Sequence, residues 1–433
     1  MDFFVDLISL KDTSIVFISA FFVCFVGYAI GAIKIKGLSL GTAGVFLFAL
    51  LFGYLCTLPA LKEIPILGKF FLGSVQEVTE AGTKLVADPK LASFKLIQNV
   101  GLVMFVTSVG SIAGPKFFRD LKKNAKTYVP MGALIIIVGA LVTVCFALIP
   151  GIGPEYATGI LSGALTSTPA FSAAKETAGS REALVVLGQA VSYPFGVIGV
   201  VMFVQLMPKL LRADIAKERE LINAGAFATE TVKNEKKRFA LDDFGFAAFG
   251  LALVLGLFLG AIRIPLSGKG FDGPTFSLGT TGGPLIAALV IGHFGHIGPV
   301  SMKMNVGALK SLREFGLMLF LLGAGVEGGV VLVEQIKQSE LGIMLVVYGF
   351  LAGVVITIIP MVVGYIFARY VCKLPLLSNL GSITGGMTST PALGTLIGVA
   401  GTDDVAGAYA ATYPIALVLV VLSVQLINSL MVV

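Results

Sequence analysis

Apolar runs long enough to cross a bilayer follow one another along nearly the whole chain. They lie at about 14–33, 38–57, 94–113, 128–149 and 183–207, and again at about 243–262, 278–296, 314–333, 341–369 and 405–430. A transmembrane helix needs roughly 20 apolar residues, and in hydrocarbon only backbone that pairs with itself is tolerated. The runs therefore predict an all-α polytopic membrane protein. Composition agrees. Charged residues make up 13% of the chain, against about 25% in a soluble domain, and mean hydropathy is +0.95. A large soluble domain is excluded. So is disorder, whose signature is low hydrophobicity with high charge.

The chain also repeats itself. Residues 159–170 read GILSGALTSTPA and residues 381–392 read GSITGGMTSTPA. Further on, SYPFGVIGVVMFVQ (192–205) answers TYPIALVLVVLSVQ (412–425). Upstream, Gly101, Phe105, Gly110 and Gly114 correspond at one offset to Gly316, Phe320, Gly325 and Gly329. GAIKI (31–35) matches GAIRI (260–264), and SLGTAG (39–44) matches SLGTTG (277–282). Several blocks in the same order mark two homologous halves: a first transmembrane repeat at 1–207, a polar linker at 208–239 that should be partly helical, and a second repeat at 240–433.

Charge assigns the sides. The expected loop 114–127 holds Lys116, Arg119, Lys122, Lys123 and Lys126 against Asp120 alone. The linker holds eight Lys and Arg against five acids. Both should be cytoplasmic, so the net charge of +6 reads as topology, and no nucleic-acid partner is implied. The run at 128–149 then leads outward and that at 183–207 returns. The segment between them, 155–178, begins and ends outside and is a re-entrant hairpin. Five crossings per half put the second repeat in upside down, with 375–398 opening from the cytoplasm and both termini outside. The rival topology makes each TSTP segment a full crossing, at the cost of placing a basic segment outside. The N-terminal residues lack the basic region and cleavage site of a signal peptide.

Broken backbone inside a bilayer must be buried in protein or line a cavity. Thr168 and Thr390 are good N-cap residues, and Pro169 and Pro391 suit the first helical position. A short helix should therefore start at each proline, its free N–H groups and positive dipole end facing mid-membrane as an anion site. Thr166, Ser167, Thr168, Pro169, Thr388, Ser389, Thr390 and Pro391 are the substrate-facing candidates. Tyr193-Pro194 and Tyr413-Pro414, in the last run of each half, free a carbonyl one turn earlier, which adds Tyr193 and Tyr413. Arg313 is the candidate cation for an acidic ligand. Glu327, a charge inside a span, is a functional hypothesis by default. Gln205 and Gln425 suit bonding between helices. The glycines of 101–114 and 316–329 lie on one face that lets helices approach closely, and these spans should pack against the hairpins.

The remaining chemistry is sparse. Cys24, Cys56, Cys145 and Cys372 lack metal or disulfide spacing and read as buried small hydrophobes. His293 and His296 end an apolar run, so a serine nucleophile at Ser167 or Ser389 would lack a base. No enzyme, metal or cofactor is expected.

The duplicated G-x-x-T-S-T-P-A element, the Tyr-Pro runs and the GLxxF…GxxxG segments resemble the aspartate:alanine exchanger family of bacterial transporters. The resemblance covers both halves. It implies a secondary transporter of the inner membrane that exchanges small carboxylates or amino acids such as aspartate, alanine, glutamate or succinate, with termini outside and a cytoplasmic central segment. Many members carry a large hydrophilic region between the halves, where this chain has only 208–239. The expected mechanism is alternating access, elevator-like, with spans 3 and 5 of each half and the two hairpins moving against a scaffold that forms a homodimer. The alternative is a sodium- or proton-coupled carrier of organic anions, or a cation antiporter. Those folds place carboxylates beside the break, whereas Glu155, Glu176, Asp403 and Asp404 lie outside it.

Overall fold

The computed structural model describes residues 11–35, 38–39, 41–64, 67–72, 75–79, 82–86, 89–223, 238–265, 275–338, 340–402 and 404–431. Asp2, Asp6 and Asp403 lie outside the described residues, as does the stretch 224–237 of the polar linker.

All ten apolar runs are helical. In chain order the helices are α1 (Asp12–Ala32), α2 (Ala43–Leu55), α3 (Pro89–Ala147), α4 (Pro154–Ala164), α5 (Thr168–Ala178), α6 (Glu182–Leu210) and α7 (Ile215–Asn223). They continue with α8 (Phe246–Ala261), α9 (Gly279–Phe294), α10 (Val306–Gln338), α11 (Ile343–Ile366), α12 (Leu376–Gly386), α13 (Thr390–Ala400) and α14 (Val405–Met431). Among the described residues, six helical segments are long and apolar enough to cross a membrane. Strands are confined to small ribbons. Lys34–Ile35 pairs with Leu38–Ser39 between α1 and α2, and Arg263–Pro265 pairs with Thr275–Ser277 at the matching place between α8 and α9.

One expectation fails here. The basic segment 114–127 is not a loop: the backbone stays helical from Pro89 to Ala147, through Pro115 and Pro130. Lysine and arginine are good helix formers, and a proline removes one hydrogen bond from a ladder that continues on either side. The linker does contain a helix, α7.

Contacts divide the chain into two units. The first comprises residues 1–102 and 315–345, the second residues 103–314 and 346–433. In the first, a core of Val16, Val23, Val45, Ala49, Phe94, Leu322 and Val326 joins α1, α2, the start of α3 and most of α10. Here the glycine face of α10 meets α2: a Cβ on Gly325 would stand 2.6 Å from Ala49 Cβ and 2.7 Å from the Phe46 carbonyl oxygen. In the second unit the matching face of α3 meets α9. A Cβ on Gly110 would stand 2.8 Å from Ala288 Cβ and 2.6 Å from the Leu285 carbonyl oxygen. Each glycine face thus rests on the second helix of the other half, through corresponding atoms. At Gly110 and Gly325 the partner is thus α9 or α2 and not a hairpin. A stripe of small residues permits close approach but does not name the partner.

Candidate functional site

Each TSTP segment is two 11-residue helices joined by a short turn. At 1.5 Å per residue each arm is about 16 Å long, half of the roughly 30 Å hydrocarbon layer. In both segments the arms fold back, as hydrogen bonds at their far ends require. Thr158 on α4 and Thr177 on α5 both bond Asn428 of α14, at 3.0 and 2.7 Å, and Arg181 just past α5 pairs with Glu155 in the first turn of α4 at 2.7 Å. In the second hairpin the adjacent linker residues Glu218 and Arg219 take the two ends. The Leu376 N–H donates to Glu218 at 2.8 Å, and Arg219 donates to the Ala400 carbonyl at the close of α13.

The turns are copies of one another. Thr166 and Thr388 have φ of 52° and 51°, and Ser167 and Ser389 are extended at φ/ψ of −93/100° and −92/96°. The arriving helix ends alike in both: the N–H of Ser167 bonds the Ser162 carbonyl at 2.8 Å, and that of Ser389 bonds the Thr384 carbonyl at 3.0 Å. This is the six-to-one bond of a Schellman close, where glycine is the usual left-handed residue. A β-branched residue there is strained by roughly 1–3 kcal/mol. Both hairpins nevertheless hold threonine in that conformation. The departing helices begin one residue earlier than the sequence suggests, with serine as N-cap, threonine first and proline second. The reason is that N–H groups are free throughout the first turn, so proline fits at its second position as well.

The two turns meet. Thr388 Oγ1 donates to the Leu165 carbonyl at 2.8 Å, and Thr166 Oγ1 faces the Met387 carbonyl at 3.5 Å. Leu165 and Met387 are matched positions, so the bonds are reciprocal, as across a two-fold axis. Thr166, Ser167, Thr168, Pro169, Thr388 and Ser389 are all buried, and Pro391 is half-buried. The Thr390 side chain lies outside the described residues.

One difference stands out at the tips. Ser167 Oγ accepts the Ala170 N–H at 3.3 Å, an ordinary cap. Ser389 makes no such bond, and its Oγ is buried without a hydrogen-bond partner. A buried unpaired hydroxyl costs about 1–3 kcal/mol.

The Tyr-Pro helices form the walls. α6 lies against α4 through Gly159 and Gly163, and α14 lies against α12 through Gly381 and Gly385; in each pair the glycines face the same positions of the partner helix. A Cβ on Gly163 would meet the Gln189 carbonyl oxygen at 2.9 Å, and one on Gly385 would meet the Tyr409 carbonyl oxygen at 2.6 Å. Tyr193 and Tyr413 are buried, and Tyr413 stacks on Tyr409 at 4.9 Å. Where the second half has Tyr409 the first has Gln189, whose Oε1 accepts the Ser162 hydroxyl at 2.5 Å.

Other candidates find different roles. Arg313 is half-buried and bonds its neighbour Glu314 at 2.7 Å. Glu327 is buried against Lys95 at 3.1 Å, within the first unit, and is a paired structural charge. Gln425 Nε2 bonds the Ser277 carbonyl at 3.2 Å. All four cysteines are free. Cys24 and Cys56 are buried as expected, but Cys145 is exposed, on a helix whose apolar face suits lipid. Glu155, Asn428, Glu218 and Arg219, which fasten the hairpins, were not signalled by any motif.

Buried polar turns held between apolar helices define a multi-pass membrane transporter. The relationship is specific: the chain belongs to the Asp-Al_Ex family, described as "Predicted Permease Membrane Region", which matches residues 71–209 and 248–429. It is similar to an uncharacterized transporter of Bacteroides fragilis, at 27% identity over 566 aligned positions that cover 95% of this chain and 98% of the relative. A second uncharacterized transporter, from Bacteroides thetaiotaomicron, is 26% identical over 574 positions with the same coverage. One from Rhodopirellula baltica is 26% identical over 557 positions, covering 91% of this chain and 95% of the relative. These alignments run longer than the chain's 433 residues, so the relatives hold sequence with no counterpart here.

Proposed function

We propose that the chain is a secondary transporter that exchanges small carboxylates or amino acids, such as aspartate for alanine or a dicarboxylate such as succinate, across the bacterial inner membrane. The observation that carries this reading is the meeting of the two TSTP turns. Helix N-termini on both sides of one contact offer N–H groups and positive dipole ends to a single anion, and the reciprocal threonine bonds support two repeats related by an in-plane two-fold axis. The halves are inverted, each hairpin re-enters the membrane from its own side, the termini lie outside and the linker is cytoplasmic. The hairpins and the Tyr-Pro helices α6 and α14 that grip them move as the core. The third helices, tied by their glycines to α2 and α9, belong with the scaffold, which forms the homodimer.

The buried tips correspond to the occluded step of alternating access. To release substrate, one hairpin must part from the other, breaking both threonine contacts between the turns. The protein is a carrier without enzymatic chemistry, in keeping with histidines confined to the end of α9 and the strand after it. The test is counterflow. Proteoliposomes loaded with unlabelled aspartate, alanine or succinate should accumulate the labelled compound, and folded protein that moves none of these would refute the proposal.

A further inference from the structure

The two tips are alike in backbone and unlike in hydrogen bonding, and the difference falls where an anion would sit. In the first hairpin the Ser167 hydroxyl is committed to Ala170 N–H of its own helix. In the second, Ser389 occupies the same N-cap position with the same dihedrals, is fully buried at 0% exposure, and its Oγ has no partner. The Ala392 N–H, equivalent to that of Ala170, accordingly receives no side-chain cap. Pro391 contributes no N–H, which leaves the Ala392 N–H as the backbone donor that follows it in that turn. Buried hydroxyls are nearly always bonded, and an uncapped donor beside an unpaired hydroxyl is an arrangement completed by an oxygen from outside.

Building on the exchange reading above, we infer that the substrate carboxylate binds at the second tip alone, with one oxygen accepting from Ser389 Oγ–H and the other from Ala392 N–H at the start of α13. The first tip, already capped, closes over the ligand as the gate. The ligand class is thereby narrowed. One carboxylate is necessary, and the group at its far end faces the Thr166–Ser167 side, where an amino group, a methyl or a second carboxylate can vary. A site with one fixed and one permissive end suits exchange of unlike compounds such as a dicarboxylate and a monocarboxylate.

The test uses purified full-length protein, with succinate, aspartate and alanine as probes and the neutral diamide succinamide as the control. Affinity is read by calorimetry and ligand-free melting by intrinsic fluorescence. In the unaltered protein the carboxylates bind and succinamide does not. Ser389→Ala should lose at least about tenfold in carboxylate affinity while its ligand-free melting point rises, because no protein–protein bond is removed and a buried unpaired hydroxyl is lost. Ser167→Ala should lose several-fold less affinity, yet melt earlier, because it loses a cap. Ser389→Thr keeps the hydroxyl and should restore binding, which separates lost chemistry from a damaged fold. Equal affinity losses at both serines, or none at Ser389, would overturn the assignment to one tip. An unaltered protein that binds no carboxylate would instead overturn the exchange reading on which it rests.

Discussion

At their tips the first and second hairpins are built from the same five residues, Thr-Ser-Thr-Pro-Ala, and hold the same dihedrals; at their open ends they share no fastening. The first is closed by Arg181 on Glu155 and by Asn428 of α14, which spans Thr158 and Thr177. The second is closed by the linker helix α7, whose Glu218 takes the N-terminal N–H of α12 while Arg219 takes the C-terminal carbonyl of α13. An acid at a helix start and a base at a helix end are the electrostatically favoured arrangement. The contrast teaches that the tip geometry follows the repeated sequence, whereas the fastening of each hairpin's ends depends on residues that the two halves do not share. A change in the linker reaches the second hairpin and bypasses the first.

The largest effects should be equal on the two sides. Gly163→Val and Gly385→Val each force a side chain into the adjoining Tyr-Pro helix and should destabilise by about 3 kcal/mol, the upper part of the range for overpacking. Thermal melting of the two variants checks this, and tolerance at one site alone would break the idea of a common seam.

Next come the ends, where the effects should separate. Arg181→Ala strands the buried Glu155 carboxylate. The cost should be about 2 kcal/mol, less than for a fully buried pair because the arginine is half-exposed. Hydrogen exchange should quicken in 154–178 and hold steady in 376–400. The double variant Glu218→Ala, Arg219→Ala should do the reverse, raising exchange in 376–400 by about fivefold, or about 1 kcal/mol. Exchange that rises in both hairpins in either variant would show that they are not fastened independently.

The smallest effect concerns the unequal threonine bonds. Thr388→Ala removes a 2.8 Å hydrogen bond and should cost about 1 kcal/mol. Thr166→Ala removes a 3.5 Å contact and should cost about half as much or less. Chemical denaturation of the pair in detergent decides; a larger loss at Thr166 would reverse the assigned asymmetry.

Much of this was legible in the residues. The duplicated TSTPA block predicted two matched turns because identical local sequence meets identical local physics, and the apolar runs marked helical segments by length alone, though two of them lie on one continuous helix. The helix start was misjudged by one residue because a threonine and a serine both cap well and proline tolerates either register. The partners of the glycine faces were not legible, since small residues encode nearness without identity. Nor was the pairing of Glu327 with Lys95, or of Glu155 with Arg181, because attraction between distant charges becomes specific only after the helices have packed. The silent difference between Ser167 and Ser389 belongs to the same class: the residues are the same, and only their surroundings tell them apart.

The most direct measurement is the dipolar coupling, in reconstituted membranes, between succinate labelled with 13C at its carboxyl groups and protein labelled with 15N at alanine amides. The expected result is a contact of within about 4 Å to Ala392 N–H, the reach of a hydrogen-bonded carboxylate. Succinate that binds and exchanges while showing no contact with the amides of either turn would contradict it.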